Sequence, residues 1–157
     1  MAHWGGVMRQ PTFWSLALAD ISDPDYTHVW IDVLPAHATA DPAAWARNLF
    51  SRTALPRWLA GAIVVGSLLR RERRRCDVFA VRRVEGEEAL VAVDARRVDM
   101  RVGVGVDEER ALVRVVTAMR FKGRGARLWS LPLRLSLAVL MRGMIARARR
   151  ELSGVTR

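Results

Sequence analysis

Near Cys76 the spacing of apolar residues changes from a helical period to a strand period, and no other feature constrains the fold as strongly. Beyond this point apolar and polar residues alternate, and turns such as Glu85-Gly86-Glu87 separate the alternating segments. The predicted strands of this part are Asp77–Arg83, Ala89–Asp94, Val98–Val106 and Ala111–Phe121. Strands joined by such tight turns pair with their neighbours, so the sequence predicts an antiparallel meander.

The segment before this change predicts one more strand, followed by two helices. Tyr26–Leu34 alternates and is rich in β-branched and aromatic residues, which is typical of a strand. Asp41-Pro42 supplies an N-cap and a proline at the first helical position, so a helix is predicted over Ala43–Ser51. Apolar residues at helical spacing predict a second helix over Pro56–Arg73.

The chain has the size of one domain, since its 157 residues contain no internal repeat and no dividing linker. Residues 1–24 are the least patterned part, with a short helix predicted over Thr12–Ile21. We therefore expect an N-terminal extension over residues 1–24 and a single domain over residues 25–153.

The last segment, from Arg127 to about Leu152, predicts one long helix. Its arginines at positions 127, 134, 142 and 149 recur every seven or eight residues, which places them on one narrow stripe that we expect to face solvent. The rest of the circumference is apolar and has to be covered. The sequence therefore predicts an α+β fold, with a curved antiparallel sheet wrapped around the C-terminal helix.

A series of short motifs follows the same order of elements. They are Asp25-Tyr26, Asp41-Pro-Ala-Ala-Trp45-Ala-Arg-Asn-Leu-Phe50, Pro56-Arg-Trp58, Asp94-Ala-Arg-Arg-Val-Asp99-Met-Arg-Val, and Arg120-Phe121 followed by Ala126-Arg127-Leu128-Trp129. Over roughly residues 13–150 their order and spacing resemble a bacterial family of unknown function in the START-like helix-grip superfamily. That superfamily includes polyketide cyclases, lipid-transfer proteins and birch-allergen-like proteins.

The resemblance implies a cavity between the curved sheet and the C-terminal helix, but it does not imply a reaction. The chain also departs from the family, whose members tend to carry histidines near the positions of Arg97, Lys122 and Leu137. If those histidines mark a shared site, this protein has lost it or changed its chemistry.

Cysteine, histidine and hydropathy exclude several classes of protein. A single cysteine excludes an intramolecular disulfide, and no His or Cys pair stands at zinc-ligand spacing, so we expect neither a metal nor a cofactor. No export signal follows the short apolar run near the N-terminus, and the apolar stretch 128–145 is interrupted by Arg134 and Arg142. We expect a cytoplasmic protein without a transmembrane segment.

The charge is strongly positive, at +10, and Lys122 is the sole lysine among 26 basic residues. The densest cluster, Arg70–Arg75, is interpreted as the solvated end of a helix, where cations also complement the helix dipole. The alternative is binding to RNA or an anionic membrane, but no nucleic-acid motif accompanies the cluster, so no specific nucleic acid is expected.

Met and Trp side chains suit a pocket for a flat or flexible apolar molecule. The predicted ligand-binding residues are Trp58, Met100, Thr117, Met119, Trp129, Met141 and Met144. For the tryptophans ordinary core packing is the competing interpretation. Tyr26 and Asp99 are the candidate catalytic residues. For Asp99 an ion pair with Arg97 or Arg101 is favoured over general-base work, and a regular strand cannot turn both Asp99 and Met100 into one pocket.

Three functions follow from these residues. The first is a helix-grip protein that encloses an apolar small molecule and acts on it as a cofactor-independent cyclase, dehydratase or isomerase of a biosynthetic pathway. The second is a non-catalytic carrier of a lipid or other small molecule. The third is a basic protein that associates with anionic membrane or RNA. The sequence leaves a homodimer open.

Overall fold

The computed structural model describes residues 14–51, 79–95, 98–123 and 126–154, except for the side chains of 126–136 and 138. It is an α+β structure with one five-stranded antiparallel sheet and a long C-terminal helix. The helices are α1 (Leu16–Ala19), α2 (Pro42–Leu49) and α3 (Ala126–Leu152), and the strands are β1 (Tyr26–Val33), β2 (Val81–Glu85), β3 (Glu88–Asp94), β4 (Val98–Asp107) and β5 (Leu112–Phe121). The predicted helix over Pro56–Arg73 and the Arg70–Arg75 cluster lie outside the described residues.

Two predicted elements are shorter or shifted. The helix expected over Thr12–Ile21 has only one turn in the described part, from Leu16 to Ala19, because Ser15 caps its start and the chain leaves helical geometry after Asp20. Strand β2 begins at Val81 and continues to Glu85, with an irregular register between Val81 and Arg83. Phe79, which the prediction placed in this strand, precedes it and stacks on Phe50.

The strand order is β1-β5-β4-β3-β2, with every neighbouring pair antiparallel. Four of these strands follow one another along the chain as the predicted meander. The first strand joins the far side of the last one, where Tyr26 lies opposite Met119 and Val33 opposite Leu112. The antiparallel sheet and the C-terminal helix of the prediction are thus confirmed.

Helices α2 and α3 cover one face of the sheet and build the core there. The inward residues of β3, β4 and β5 meet the apolar sides of both helices in one cluster. Trp45 of α2 is fully buried in this cluster, and its indole N–H donates to the Thr39 carbonyl oxygen at 2.8 Å. We call this side of the sheet the helix-facing side.

The opposite side of the sheet is covered by α1. Leu16 and Ala17 pack there against Leu90 of β3 and Val116 of β5. The outward residues of β1 remain exposed on this side, with Ile31 at 61% and Val33 at 56% exposure. Each side of the sheet therefore has its own packing partners.

Candidate functional site

A row of aromatic rings lies along β1 on the helix-facing side. Tyr26, His28 and Trp30 alternate with exposed residues, and all three are half-buried. The rings of Tyr26 and His28 are stacked with centroids 6.2 Å apart, and the rings of His28 and Trp30 lie 4.6 Å apart. Strand alternation aligns these side chains, and their partial exposure leaves a face that a flat molecule can reach.

Thr117 of β5 lies directly opposite His28 in the register, on the same side of the sheet. Its side chain is 1% exposed, and its hydroxyl oxygen has no hydrogen-bond partner within the described part of the chain. A buried hydroxyl without a partner costs about 1–3 kcal/mol, so this position favours a bound group that can donate to it or accept from it.

The predicted methionines lie on the same side of the sheet. Met119 follows Thr117 at the next inward position and stands opposite Tyr26 on one side and Met100 on the other. Met141 and Met144 of α3 belong to the same buried cluster as Met119. The structure therefore brings together five of the seven predicted ligand-binding residues. Trp58 and the side chain of Trp129 lie outside the described residues.

The arginines of α3 do not form a stripe that simply faces solvent, as far as their side chains are described. The guanidinium carbon of Arg142 lies 5.5 Å from the centre of the Trp30 ring. Arg149 is bonded to the Asp32 carboxylate at 2.9 Å. Arg142 is exposed, as predicted for the stripe, and Arg149 is partly exposed, so at these two residues the stripe lies at the border between solvent and β1.

Asp99 is not brought together with the other candidates. Its neighbour Met100 packs with the helix-facing cluster, so alternation turns Asp99 to the opposite side of the sheet, away from Tyr26 and Thr117. Asp99 is only 4% exposed, and its two oxygens lie 2.6 Å from the Lys122 ammonium group and 3.3 Å from the Arg120 guanidinium. Its carboxylate is therefore held in a structural ion-pair cluster.

Asp99 forms an ion pair, as favoured from the sequence, but not with Arg101. Arg101 instead bonds Asp20 at 2.5 Å and Asp94 at 2.7 Å, which ties α1 to the sheet, and Arg97 lies outside the described residues. Burial acts against ionisation of Asp94, but the hydrogen bond and charge of Arg101 outweigh it and lower the pKa of Asp94.

Sequence reasoning missed His28, Trp30 and Arg142 as site residues. The alternation of β1 already placed the first two beside Tyr26, but the register with β5 and the path of α3 were needed to bring Thr117 and Arg142 to them. It also missed Glu88, a buried carboxylate on the other side of the sheet. Ser15 donates to this carboxylate at 2.5 Å and Arg114 at 3.1 Å.

Two kinds of feature are absent from the described residues. No group of three His, Cys, Asp or Glu side chains there is arranged to hold a metal ion. In the same part of the chain, no helix combines the length and the apolar character that crossing a membrane requires.

Comparison with known proteins returned no match to a family model, a curated protein or a solved structure.

Proposed function

We propose that the protein binds an apolar small molecule, with a polar group of its own, between α3 and the helix-facing side of β1 and β5. The single observation that carries this proposal is the buried Thr117 hydroxyl, which lacks a partner in the described part of the chain. Met119 and Val115 flank it along β5, and the His28 ring lies opposite it without a recorded hydrogen bond to the hydroxyl. A ligand that contributes one hydrogen bond and fills the apolar surroundings would remove that cost.

The residue types around Thr117 suit such a ligand. Met100, Met119 and Met141 are flexible and polarizable, so they adapt to the outline of a bound molecule. The half-buried rings of β1 offer flat apolar surfaces at the border of the core. A flat aromatic compound or a flexible lipid-like chain carrying a carbonyl or hydroxyl group meets these conditions.

The finer fold assignment belongs to the same proposal. An antiparallel sheet in the order β1-β5-β4-β3-β2, with a helix after β1 and a long C-terminal helix, is compatible with the START-like helix-grip architecture. The cavity that the resemblance implies would then lie where Thr117 and the aromatic row face α3.

Turnover at this site is a narrower hypothesis than binding. Tyr26 lies on the helix-facing side and could assist proton transfer in a cyclase, dehydratase or isomerase. Asp99 is not proposed for this role, since it faces the other side and pairs with Lys122 and Arg120. Binding without turnover needs only the contacts described above and is therefore the function proposed first.

The test uses Nile red, a neutral apolar dye with a carbonyl group, whose fluorescence rises in an apolar site. We expect saturable binding to the wild-type protein. Thr117→Val keeps the side-chain shape but removes the hydroxyl, and we expect about a fivefold loss of affinity, the scale of one modest hydrogen bond. The unliganded variant should be as stable as the wild type or slightly more stable.

The matched control is Thr27→Val, because Thr27 is an exposed residue of the same strand pair on the opposite side of the sheet. It should leave the dye affinity unchanged. Absence of saturable binding to the wild type would overturn the proposed function. Equal affinities in the wild type and Thr117→Val would remove Thr117 from the site.

A further inference from the structure

Arg142 differs from Arg147 and Arg149, two later arginines of α3, in having no carboxylate partner among the described residues. Arg149 is paired with Asp32 at 2.9 Å, and Arg147 with Glu151 at 2.6 Å. Arg142, in contrast, has no carboxylate within ion-pair distance among the described residues, and its recorded contact there is with the Trp30 ring at 5.5 Å. A cation over an aromatic face keeps its hydrogen-bond donors free at the guanidinium edge.

The position of Arg142 is at the border of the proposed site. Trp30 is the last ring of the aromatic row, two residues beyond His28, which lies opposite Thr117. Two residues of a strand span about 7 Å, so Trp30 beneath the guanidinium and the paired residues His28 and Thr117 are separated by about the length of a small molecule. The apolar groups lie between them and beside them.

The charges around this border favour an anion. Asp32, the acidic residue of β1, is already occupied by Arg149. Tyr26, His28 and Trp30 contribute no negative charge, and α3 contributes Arg142 and Arg149 along the same flank. A carboxylate can accept two parallel hydrogen bonds from a guanidinium while the guanidinium remains stacked on a ring.

We infer that the ligand is an amphipathic organic acid, whose carboxylate pairs with Arg142 over Trp30 and whose apolar body lies along the β1 aromatic row toward Thr117. This inference rests on the proposed function and adds the charge and the orientation of the ligand. It predicts that the protein distinguishes an acid from its neutral ester, which a purely apolar site would not do.

The experiment compares dodecanoic acid with methyl dodecanoate as competitors of bound Nile red at pH 7 and low salt. We expect the acid to bind at least fivefold more tightly than the ester. The difference should shrink as salt is added, because a guanidinium at the protein surface is screened. Arg142→Gln should bring the acid down to the affinity of the ester and leave the ester itself unchanged.

Two further variants separate the role of Arg142 from general charge and from damage to the fold. Arg150→Gln removes an equal charge from an exposed position on the same helix and should keep the preference for the acid. Arg142→Lys retains the charge without the planar fork and should keep part of the preference. The unfolding midpoint of each variant reports whether the fold is intact.

The outcomes distinguish the inference from the function on which it rests. Equal affinity of acid and ester for the wild type, with Nile red still bound, overturns the inference and leaves the proposed function standing. A preference that survives in Arg142→Gln overturns the assignment of the carboxylate to Arg142. Failure of Nile red, the acid and the ester to bind the wild type overturns both.

Discussion

Gly103 lies beneath a buried carboxylate on the side of the sheet that carries α1. The Glu88 carboxylate is 3% exposed and is held by Ser15 and Arg114. A β-carbon at position 103 would overlap Glu88 Oε1 and lie 2.8 Å from Ser15 Oγ. The absence of a side chain at this position is therefore what allows the carboxylate to lie flat on β4.

We expect Gly103→Ala to lower the free energy of unfolding by about 1–3 kcal/mol, because Glu88 would have to leave two hydrogen bonds or the strand would have to move. Urea denaturation measures this. Gly105→Ala is the matched control on the same strand, since its β-carbon would meet only the Arg114 side chain at 3.4 Å. A loss in Gly105→Ala as large as in Gly103→Ala would contradict the explanation.

The sequence predicts the helix-facing residues only in part. Thr117 and Met119 share one side of their strand by alternation alone, so their proximity follows directly from the pattern. The side occupied by Asp99 does not follow, because β5, the neighbour of β4, is apolar on both sides near its middle and alternation then does not show which side of the sheet faces the core. The packing of α1 over one side and α2 over the other supplies that information.

Among the elements, helix α2 depends on its N-cap residue, Asp41, for a stable start. The Asp41 carboxylate accepts from the Ala43 amide at 2.9 Å, and Pro42 needs no partner for its nitrogen. The predicted start of this helix is thus confirmed to within one residue. Its buried side carries Trp45 and Leu49 into the core.

Asp41→Ala should lower the free energy of unfolding by about 1 kcal/mol, which is typical for the loss of an N-cap. Asp41→Asn retains a side-chain oxygen that can accept from Ala43, and it also removes the exposed ion pair with Arg47, which contributes little. We therefore expect near wild-type stability for Asp41→Asn. Thermal unfolding of the two variants side by side is the measurement, and equal losses would show that the pair with Arg47 matters more than the cap.

Ion pairs of Arg101 with Asp20 and Asp94 attach helix α1 to the sheet, and their contribution to the free energy of unfolding depends on pH. The pKa of Asp94 is lowered in the folded protein, so its ionised form contributes stability above its ordinary pKa near 3.9 in the unfolded chain. That contribution is lost as the pH falls below this value and through the folded pKa. We expect the free energy of unfolding to decrease from pH 5 downward.

Arg101→Gln removes the group that lowers the pKa of Asp94, so the variant should be less stable at pH 7 and should lose less stability between pH 5 and pH 3 than the wild type. Chemical denaturation at a series of pH values gives both quantities. Arg142→Gln serves as the control with equal charge change, and it should keep the wild-type slope. An unchanged slope in Arg101→Gln would refute the assignment.

The strands were predicted more accurately than the helix of the N-terminal extension. Strands β3, β4 and β5 match the predicted spans within one residue, because long alternating segments and glycine-containing or acidic turns define both ends. Helix α1 is one turn long, and its place depends on the contacts Ser15–Glu88 and Asp20–Arg101, whose partners are 73 and 81 positions apart in the chain. Local patterns carry no information about such contacts.

At the scale of the whole molecule, the two sides of the sheet differ in burial. The helix-facing side is covered, whereas the opposite side is exposed along the edge strand β1. Val115 is fully buried on the helix-facing side, whereas Ile31 is mostly exposed at the edge strand. The pairing of β1 with β5 joins residues 79 to 93 positions apart. The alternation predicts both strands but does not predict that they pair.

Lysine substitutions measure this difference between the two sides. Ile31→Lys should change the free energy of unfolding by about 0.5 kcal/mol or less, since the charge stays in water and lysine is common on edge strands. Val115→Lys places an unpaired charge in the core and should cost several kcal/mol or prevent folding. Urea titration followed by circular dichroism measures the free energy of unfolding of both variants. A loss of several kcal/mol in Ile31→Lys would show that this face of β1 is covered rather than exposed.

The far end of α3 is tied down on both flanks. Arg149 bonds Asp32 of the sheet on one flank, and Glu151 accepts from the Asn48 side chain of α2 at 2.8 Å on the other. Arg142 lies seven residues earlier, about 10 Å along the axis. Both contacts lie in the last turn of α3, so the position of Arg142 relative to β1 is set by a helix end that is held on two sides.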